Sequence, residues 1–315
     1  MGNTSKSADV AQFADNCVLF GDGTVASWVR SDEDATYKAS GGHTFTFKKP
    51  VMLAPPPGVE RIVKIASGFH YFLALREDGE AFVWGDEEWR KDKELSCPNG
   101  RLQGIKDIDI DSGGGCHAVT AEGKVVSWGN QKSAEDHDYI TTKHPKKLKD
   151  IVRIRDAVGC TSSGETIPWA VDRSGDPIFE MPKGLQKVRD ITCGRQGLSL
   201  AIQQNGKPMG IGWNRDIINR EFGSLKKKVT QAACPGGMGG PGIVLLFEDG
   251  TIQYFDFHKE FRDSSENSDV DYAVNGEKVS HVISIGSVEG GFWAILKEGK
   301  GPKKPIKPSA SKKKK

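Results

Sequence analysis

No stretch of this 315-residue chain approaches the ~20 consecutive apolar residues that a membrane-spanning helix needs. Residues Met1 to Asp15 lack the apolar core of a secretory signal. Cysteine is sparse and scattered: Cys17, Cys97, Cys116, Cys160, Cys193 and Cys234 form no Cys-x-x-Cys pair and no metal-ligand spacing. Reduced thiols, a cytoplasmic or nuclear location and no transmembrane segment are therefore expected. Gly2 falls short of a lipidation signal, because Lys6 stands where a Ser or Thr belongs. Catalytic constellations are missing too. There is no Gly-x-Ser-x-Gly elbow, and the adjacent Cys116 and His117 would point to opposite faces of a strand, leaving a small buried thiol. The acidic stretches Glu135 to Asp138 and Asp263 to Asp271 do not match a calcium loop and read as solvated loops. No cofactor and no metal are expected.

Glycine, by contrast, is plentiful at 38 residues, against a hydrophobic fraction of 37%. That balance suits short strands and tight turns better than long helices. A turn dipeptide ending in glycine recurs after short apolar runs: Asp22-Gly23, Asp78-Gly79, Glu122-Gly123, Ser174-Gly175, Asn205-Gly206, Asp249-Gly250 and Glu298-Gly299. Such dipeptides supply the positive φ of a hairpin turn. The runs before them, Val18 to Phe20, Phe72 to Leu75, Leu198 to Ile202, Ile243 to Phe247 and Phe292 to Leu296, read as buried strands. Five residues after the glycine stands an aromatic in Trp28, Trp84, Trp128 and Phe255, while Trp213 slips to seven. Further upstream, apolar residues at every third position lead into another strand. They are Val59, Ile62 and Ile65; Leu102, Ile105 and Ile108; Leu148, Ile151 and Ile154; and Leu185, Val188 and Ile191.

Each repeat thus holds about four short strands and cannot bury both faces alone. The expectation is all-β: a single closed β-propeller of about seven blades, residues 12–299, after a flexible 1–11 and before a disordered basic tail, 300–315. The first copy lacks an upstream triplet and the last lacks its aromatic strand, so the N-terminal segment is expected to close the ring. Gly237 to Gly242 satisfies Gly-x-Gly-x-x-Gly, but an apolar run follows at once, so it reads as a loop between strands rather than a dinucleotide site.

The pattern Val-x-x-Ile-x-x-Gly, apolar strand, Asp-Gly, Trp-Gly resembles the repeat of the regulator of chromosome condensation family. Val59 to Gly85 carries it best, through Ile62, Ile65, Gly68, Leu73, Ala74, Leu75, Asp78, Gly79, Trp84 and Gly85. The resemblance implies a seven-bladed propeller whose ring face holds a protein partner. The family's histidine eight residues before the turn glycine is replaced by Tyr71, Gly115, Leu198 and Gly242, and its Gly-Gln-Leu-Gly segment is missing, so the chain reads as a diverged relative.

Eight lysines and no acid lie between Gly299 and Lys315; removing them from a net charge of +2 leaves −6 for the body. Lys303, Lys304, Lys307, Lys312, Lys313, Lys314 and Lys315 are therefore candidates for an electrostatic contact with an acidic polymer or anionic surface. Trp89 and Trp169 fall outside the repeat register and are candidate surface contacts. The functional expectation is a monomeric, non-enzymatic scaffold that binds proteins on one propeller face. The alternative is a guanine-nucleotide exchange factor for a Ran-like small GTPase associated with chromatin.

Overall fold

The structure is a computed structural model. It describes residues 10–14, 16–38, 44–68, 71–86, 97–111, 114–129, 139–140, 148–172, 176–177, 179–193, 198–212, 214–234, 242–257, 281–288 and 291–296. The chain is all-β apart from short helices, in small antiparallel sheets that follow one another along the sequence. The first sheet holds Val10–Ala14, Cys17–Phe20, Val25–Lys38 and Thr44–Leu53. The second holds Ile62–Ser67, Tyr71–Arg76 and Ala81–Gly85, and the third Ile105–Ile110, Gly115–Thr120 and Val125–Gly129. The fourth holds Ile151–Arg155, Val158–Thr161 and Thr166–Pro168, and the fifth Val188–Cys193, Ser199–Gln203 and Pro208–Ile211. The sixth holds Val229–Ala233, Gly242–Phe247 and Ile252–Asp256; in the seventh, Val282–Val288 pairs with Gly291–Leu296. Tyr139–Ile140 and Val171–Asp172 make a further two-residue ladder.

The chain divides into two compact units, one of residues 1–162 with 167–178, the other of 163–166 with 179–315. Among the described residues no helix is long and apolar enough to cross a membrane.

The five expected central strands are present, each beginning or ending within one residue or so of its apolar run. Their side chains alternate between two neighbours. In the first unit, Phe72 and Ala74 pack with Cys17, Leu19 and Ile62, whereas Tyr71, Leu73 and Leu75 pack with Ile105, Ile108 and Trp128. In the second unit, Leu245 and Phe247 pack with Leu200 and Ile202, and Val244 and Leu246 pack with Val282 and Ile285. A central strand buried on both faces explains why these runs are continuously apolar rather than alternating.

Two expectations are revised. The hairpin of the fourth sheet turns at Ser163-Gly164, with Gly164 at φ +84°; the expected turns at Ser174-Gly175 and Glu298-Gly299 lie outside the described residues. The turn glycines become Gly23, Gly79, Gly123, Gly164, Gly206 and Gly250, spaced by 56, 44, 41, 42 and 44 residues. The serines of the real turn do not announce themselves as the usual Asp-Gly or Asn-Gly does. The second correction concerns Val10–Ala14, which pairs with Cys17–Phe20 as the first strand of its own sheet, from Ala14 opposite Cys17 to Val10 opposite Phe20. The first copy therefore does not lack its upstream strand. Sheets of three strands are commoner here than the four expected.

The helix Arg215–Phe222, absent from the sequence reading, follows the fifth sheet. Its Ile218 and Phe222, four apart and hence on one face, are buried against that sheet and the sixth. Asn219 accepts a hydrogen bond from the Gly210 amide at 2.8 Å and ties the helix down.

Each turn glycine also performs a second task. Its carbonyl accepts from the first amide of the next sheet's first strand: Ile62 to Gly23 (3.0 Å), Ile105 to Gly79 (2.8 Å) and Ile151 to Gly123 (3.1 Å) in the first unit. In the second unit Val188 donates to Gly164 (2.8 Å), Val229 to Gly206 (2.9 Å) and Val282 to Gly250 (3.0 Å). The approach leaves little room for a side chain. A Cβ on Gly123 would fall 2.8 Å from the Asp150 Cα, and one on Gly164 would fall 2.5 Å from the Lys187 Cα. Gly104 shares the positive φ, at +67°, but has nothing within 4 Å of its Cβ position. Gly104→Ala is therefore expected to cost only the left-handed backbone penalty of ~1–2 kcal/mol. Gly123→Ala should cost that and ~1–3 kcal/mol more for overpacking, read as a difference in urea midpoints. Equal midpoints would show that the close approach does not matter.

Candidate functional site

Every first strand carries the same irregularity. The pairing register skips one residue between Val10 and Gln12, Ile62 and Lys64, Ile105 and Asp107, Ile151 and Arg153, Val188 and Asp190, Val229 and Gln231, and Val282 and Ser284. A bulge re-aims the residues around it. The residue after the bulge is polar in all seven strands, and three of them reach the fourth residue of the next first strand. Gln12 accepts from the Ile65 amide (3.1 Å) and donates to its carbonyl (2.8 Å). Asp107 accepts from the Ile154 amide (2.9 Å), and Gln231 from the Ile285 amide (2.9 Å). Sequence reading missed these residues because polar positions in otherwise apolar strands look like solvent-facing alternation.

In the first unit these contacts condense into a charged network. The ammonium of Lys64 pairs with Asp107, the guanidinium of Arg155 lies 3.5 Å from the same carboxylate, and Asp109 accepts from the Asp156 amide at 2.8 Å. Desolvation, reinforced by the Arg155 charge, lowers the Lys64 pKa against the pull of Asp107 and Asp109. Desolvation likewise raises Asp109, more than Arg155 and Lys64 lower it.

Beside the network lies His117, with no solvent exposure. Its Nε2 is 2.7 Å from Asp111 Oδ2 and its Nδ1 is 2.7 Å from Ser127 Oγ. With Asp111 ionised, Nε2–H donates to the carboxylate and Nδ1 accepts from the serine hydroxyl. Both nitrogens are engaged and the ring is sealed, so the arrangement braces the sheet and cannot meet a substrate. Cys116, paired across the strand with Trp128, is buried, and its thiol lies well above the usual range through desolvation. Burial also pushes Cys17 and Cys234 up to about 12 and Cys97 to about 11. Thiols held this firmly protonated are poor nucleophiles. The adjacent Cys116 and His117 therefore behave as the alternation of a strand requires.

Trp89 and the seven tail lysines lie outside the described residues. Trp169 stands five residues after Gly164, so it occupies the repeat aromatic position rather than breaking register. It is 4% exposed, edge-on to His117 at 5.8 Å, which removes the expected surface contact. Ile211 takes the same position after Gly206 and is fully buried; Trp213 lies outside the described residues.

The aromatic series also explains one unsatisfied group. The indole N–H of Trp84 donates to Ser27 Oγ at 3.2 Å, and Ser27 in turn donates to the Leu53 carbonyl at 2.7 Å. The corresponding residue for Trp128, one before the previous repeat aromatic, is Val83, and the buried Trp128 Nε1 has no partner. Val83→Ser should raise stability by ~0.5–1.5 kcal/mol, and Ser27→Val should lower it by ~1–3 kcal/mol, measured by denaturant unfolding.

A second expectation concerns pH. Because the folded-state pKa of Asp109 is raised, its contribution to stability is present below the unfolded carboxylate range and is lost as pH rises through the folded value. Asp109→Asn should therefore raise the thermal midpoint more at pH 7.5 than at pH 4. A uniform shift at both values would contradict that.

Residues 62–88 match the family model described as "Regulator of chromosome condensation (RCC1) repeat". The chain is 27% identical over 256 residues to human E3 ubiquitin-protein ligase HERC2, covering 68% of this chain and 5% of that protein. It is 27% identical over 184 residues to the Guanine nucleotide exchange factor SRM1 of Saccharomyces cerevisiae, covering 51% of this chain and 36% of that protein. It thus spans a small part of the first and about a third of the second. Among solved structures, Prp20p of Saccharomyces cerevisiae, studied for its binding properties to Gsp1p and histones, is similar at 18% identity. That likeness covers 88% of this chain and 66% of that one, with a TM-score of 0.40. With the repeated turn, strand and aromatic positions laid out above, the chain carries a regulator of chromosome condensation repeat at residues 62–88 and is similar in sequence to proteins of that type.

Proposed function

We propose that this chain is a non-enzymatic protein-binding module, its seven sheets the blades of one β-propeller over residues 12–299. The observation that supports it most is the bulge residue of each first strand. It is unpaired in the ladder, and at repeat-equivalent positions it is Val63 (54% exposed), Val152 (36%) and Ile283 (58%), with Ala11 and Lys106 also exposed. A backbone feature that presents an exposed side chain in five of the seven copies suits recognition of a partner. Its interior supports the same reading, since His117 and the buried thiols are committed to structure. In this reading the lysine tail from Lys300 is an auxiliary electrostatic tether, in the cytoplasm or the nucleus.

A second reading, a guanine-nucleotide exchange factor for a Ran-like small GTPase on chromatin, is favoured by the likeness to SRM1 and to Schizosaccharomyces pombe Pim1, 24% identical over 187 residues. Pull-down from native extract under nucleotide-depleting conditions separates the two, using the intact chain and a chain truncated after Gly299. A small GTPase held by both forms and released by GTP would favour exchange and displace the scaffold reading. A stable partner indifferent to nucleotide is the expected outcome. Double substitution of Val63→Asp and Val152→Asp should abolish its capture without lowering the thermal midpoint by more than a few degrees.

A further inference from the structure

Among the described residues, five of the six glycine hairpin turns laid out above carry a carboxylate next to the glycine: Asp22, Asp78, Glu122, Glu165 and Asp249. The turn of the fifth sheet reads Gln204-Asn205-Gly206-Lys207 and carries none. Lysines surround it instead. The Gln204 amide donates to the Lys187 carbonyl at 2.8 Å, and a Cβ on Gly206 would fall 2.6 Å from the Lys228 Cβ. Lys187, Lys207 and Lys228 therefore flank one turn, and Lys226 and Lys227 approach it along the segment entering the sixth sheet. All five are exposed.

Local carboxylates answer only two of them. Lys227 pairs with Asp249 at 2.7 Å and Lys228 with Glu248 at 3.8 Å. Lys187, Lys207 and Lys226 form no ion pair among the described residues. At the second sheet's turn, by contrast, charges are matched: Arg61 meets Glu77 at 2.6 Å and Arg76 meets Asp78 at 2.7 Å. Backbone geometry holds the unmatched lysines in place. Lys187 sits at φ +40°, with its Cα against Gly164, and Val229 just after Lys228 is anchored to Gly206. Three uncompensated cations on a rigid turn form a positive island on a body whose formal charge, tail removed, is −6.

We propose that this fifth-sheet turn binds a short acidic segment of a partner protein, with Lys187, Lys207 and Lys226 supplying the charge. A long polyanion fits it less well. An extended duplex would run from the island onto a negatively charged body. The nearby Arg189, which could otherwise grip a phosphate with two donors, is committed to the Val229 and Thr230 carbonyls at 3.0 and 2.8 Å. The inference rests on the protein-binding reading and names the chemistry of one partner contact.

The test uses the full chain and a fluorescein-labelled peptide of about eight glutamates, followed by anisotropy at low and moderate salt. Replacing Lys187, Lys207 and Lys226 together by Gln should weaken binding about tenfold, as expected for several exposed charge pairs, and should flatten the salt dependence. Replacing the seven tail lysines by Gln should leave binding in place. Lys207→Arg with Lys226→Arg should also retain it, which, with unchanged thermal midpoints, separates lost charge from lost fold. Unchanged affinity in the turn variant, or abolition by the tail substitutions alone, would overturn the assignment. So would a DNA duplex of equal charge that binds more tightly through the same three lysines. Capture of the same partner from extract by the turn variant and the unaltered chain would sink the patch while leaving the protein-binding module standing. Failure of the unaltered chain to capture any protein would remove the module itself.

Discussion

The bond from the first amide of one sheet to the turn-glycine carbonyl of the sheet before it governs the architecture. It recurs six times, between 2.8 and 3.1 Å, three times in each unit. A single such bond is worth only ~0.5–1.5 kcal/mol net. Its influence is geometric. A backbone can come this close only where no Cβ intervenes, and the hairpin needs a positive φ at the same residue, so glycine answers both demands at once. The link seats each new first strand beside the turn before it, which brings the faces of successive central strands together and lets runs such as Tyr71 to Leu75 bury both sides.

Polar side chains then lock the register that the turns establish. A one-residue bulge at the same place in seven first strands frees Gln12, Asp107 and Gln231 to satisfy an amide of the neighbouring strand. Between the second, third and fourth sheets the same device becomes an ionic network of Lys64, Asp107 and Arg155, flanked by the sealed pair of Asp111 and His117. Groups so thoroughly partnered and buried contribute specificity of packing, not reactivity. What this leaves available for function is the surface: the variable bulge residues, the turns and the lysines of the fifth sheet. Fold resemblance cannot say which of these a partner uses, because unrelated activities share one architecture. Local charge can, and around Gly206 the described residues leave three exposed lysines without an ion pair.

Much of the fold was legible because it follows from local chemistry. Alternating apolar and glycine-rich segments mark the central strands, and Asp-Gly and Asn-Gly dipeptides mark four of the turns and Glu-Gly a fifth, since the positive φ they accommodate is a property of two or three residues. An aromatic five residues beyond each turn followed from the same spacing for Trp28, Trp84 and Trp128.

The tertiary structure decided the rest. Gly164 is the turn of the fourth sheet, a choice made by the close approach of Lys187 and not by the weak Ser-Ser-Gly signal itself; it moves Trp169 from an imagined surface contact to a buried partner of His117. Val10–Ala14 belongs to its own sheet because its neighbours offer it a register there, which no property of the segment alone reveals. The ionic network and the lysine island escape sequence reading for one physical reason: Lys64, Asp107 and Arg155, like Lys187, Lys207 and Lys226, lie far apart along the chain, and whether a charge is matched depends on what folding places beside it.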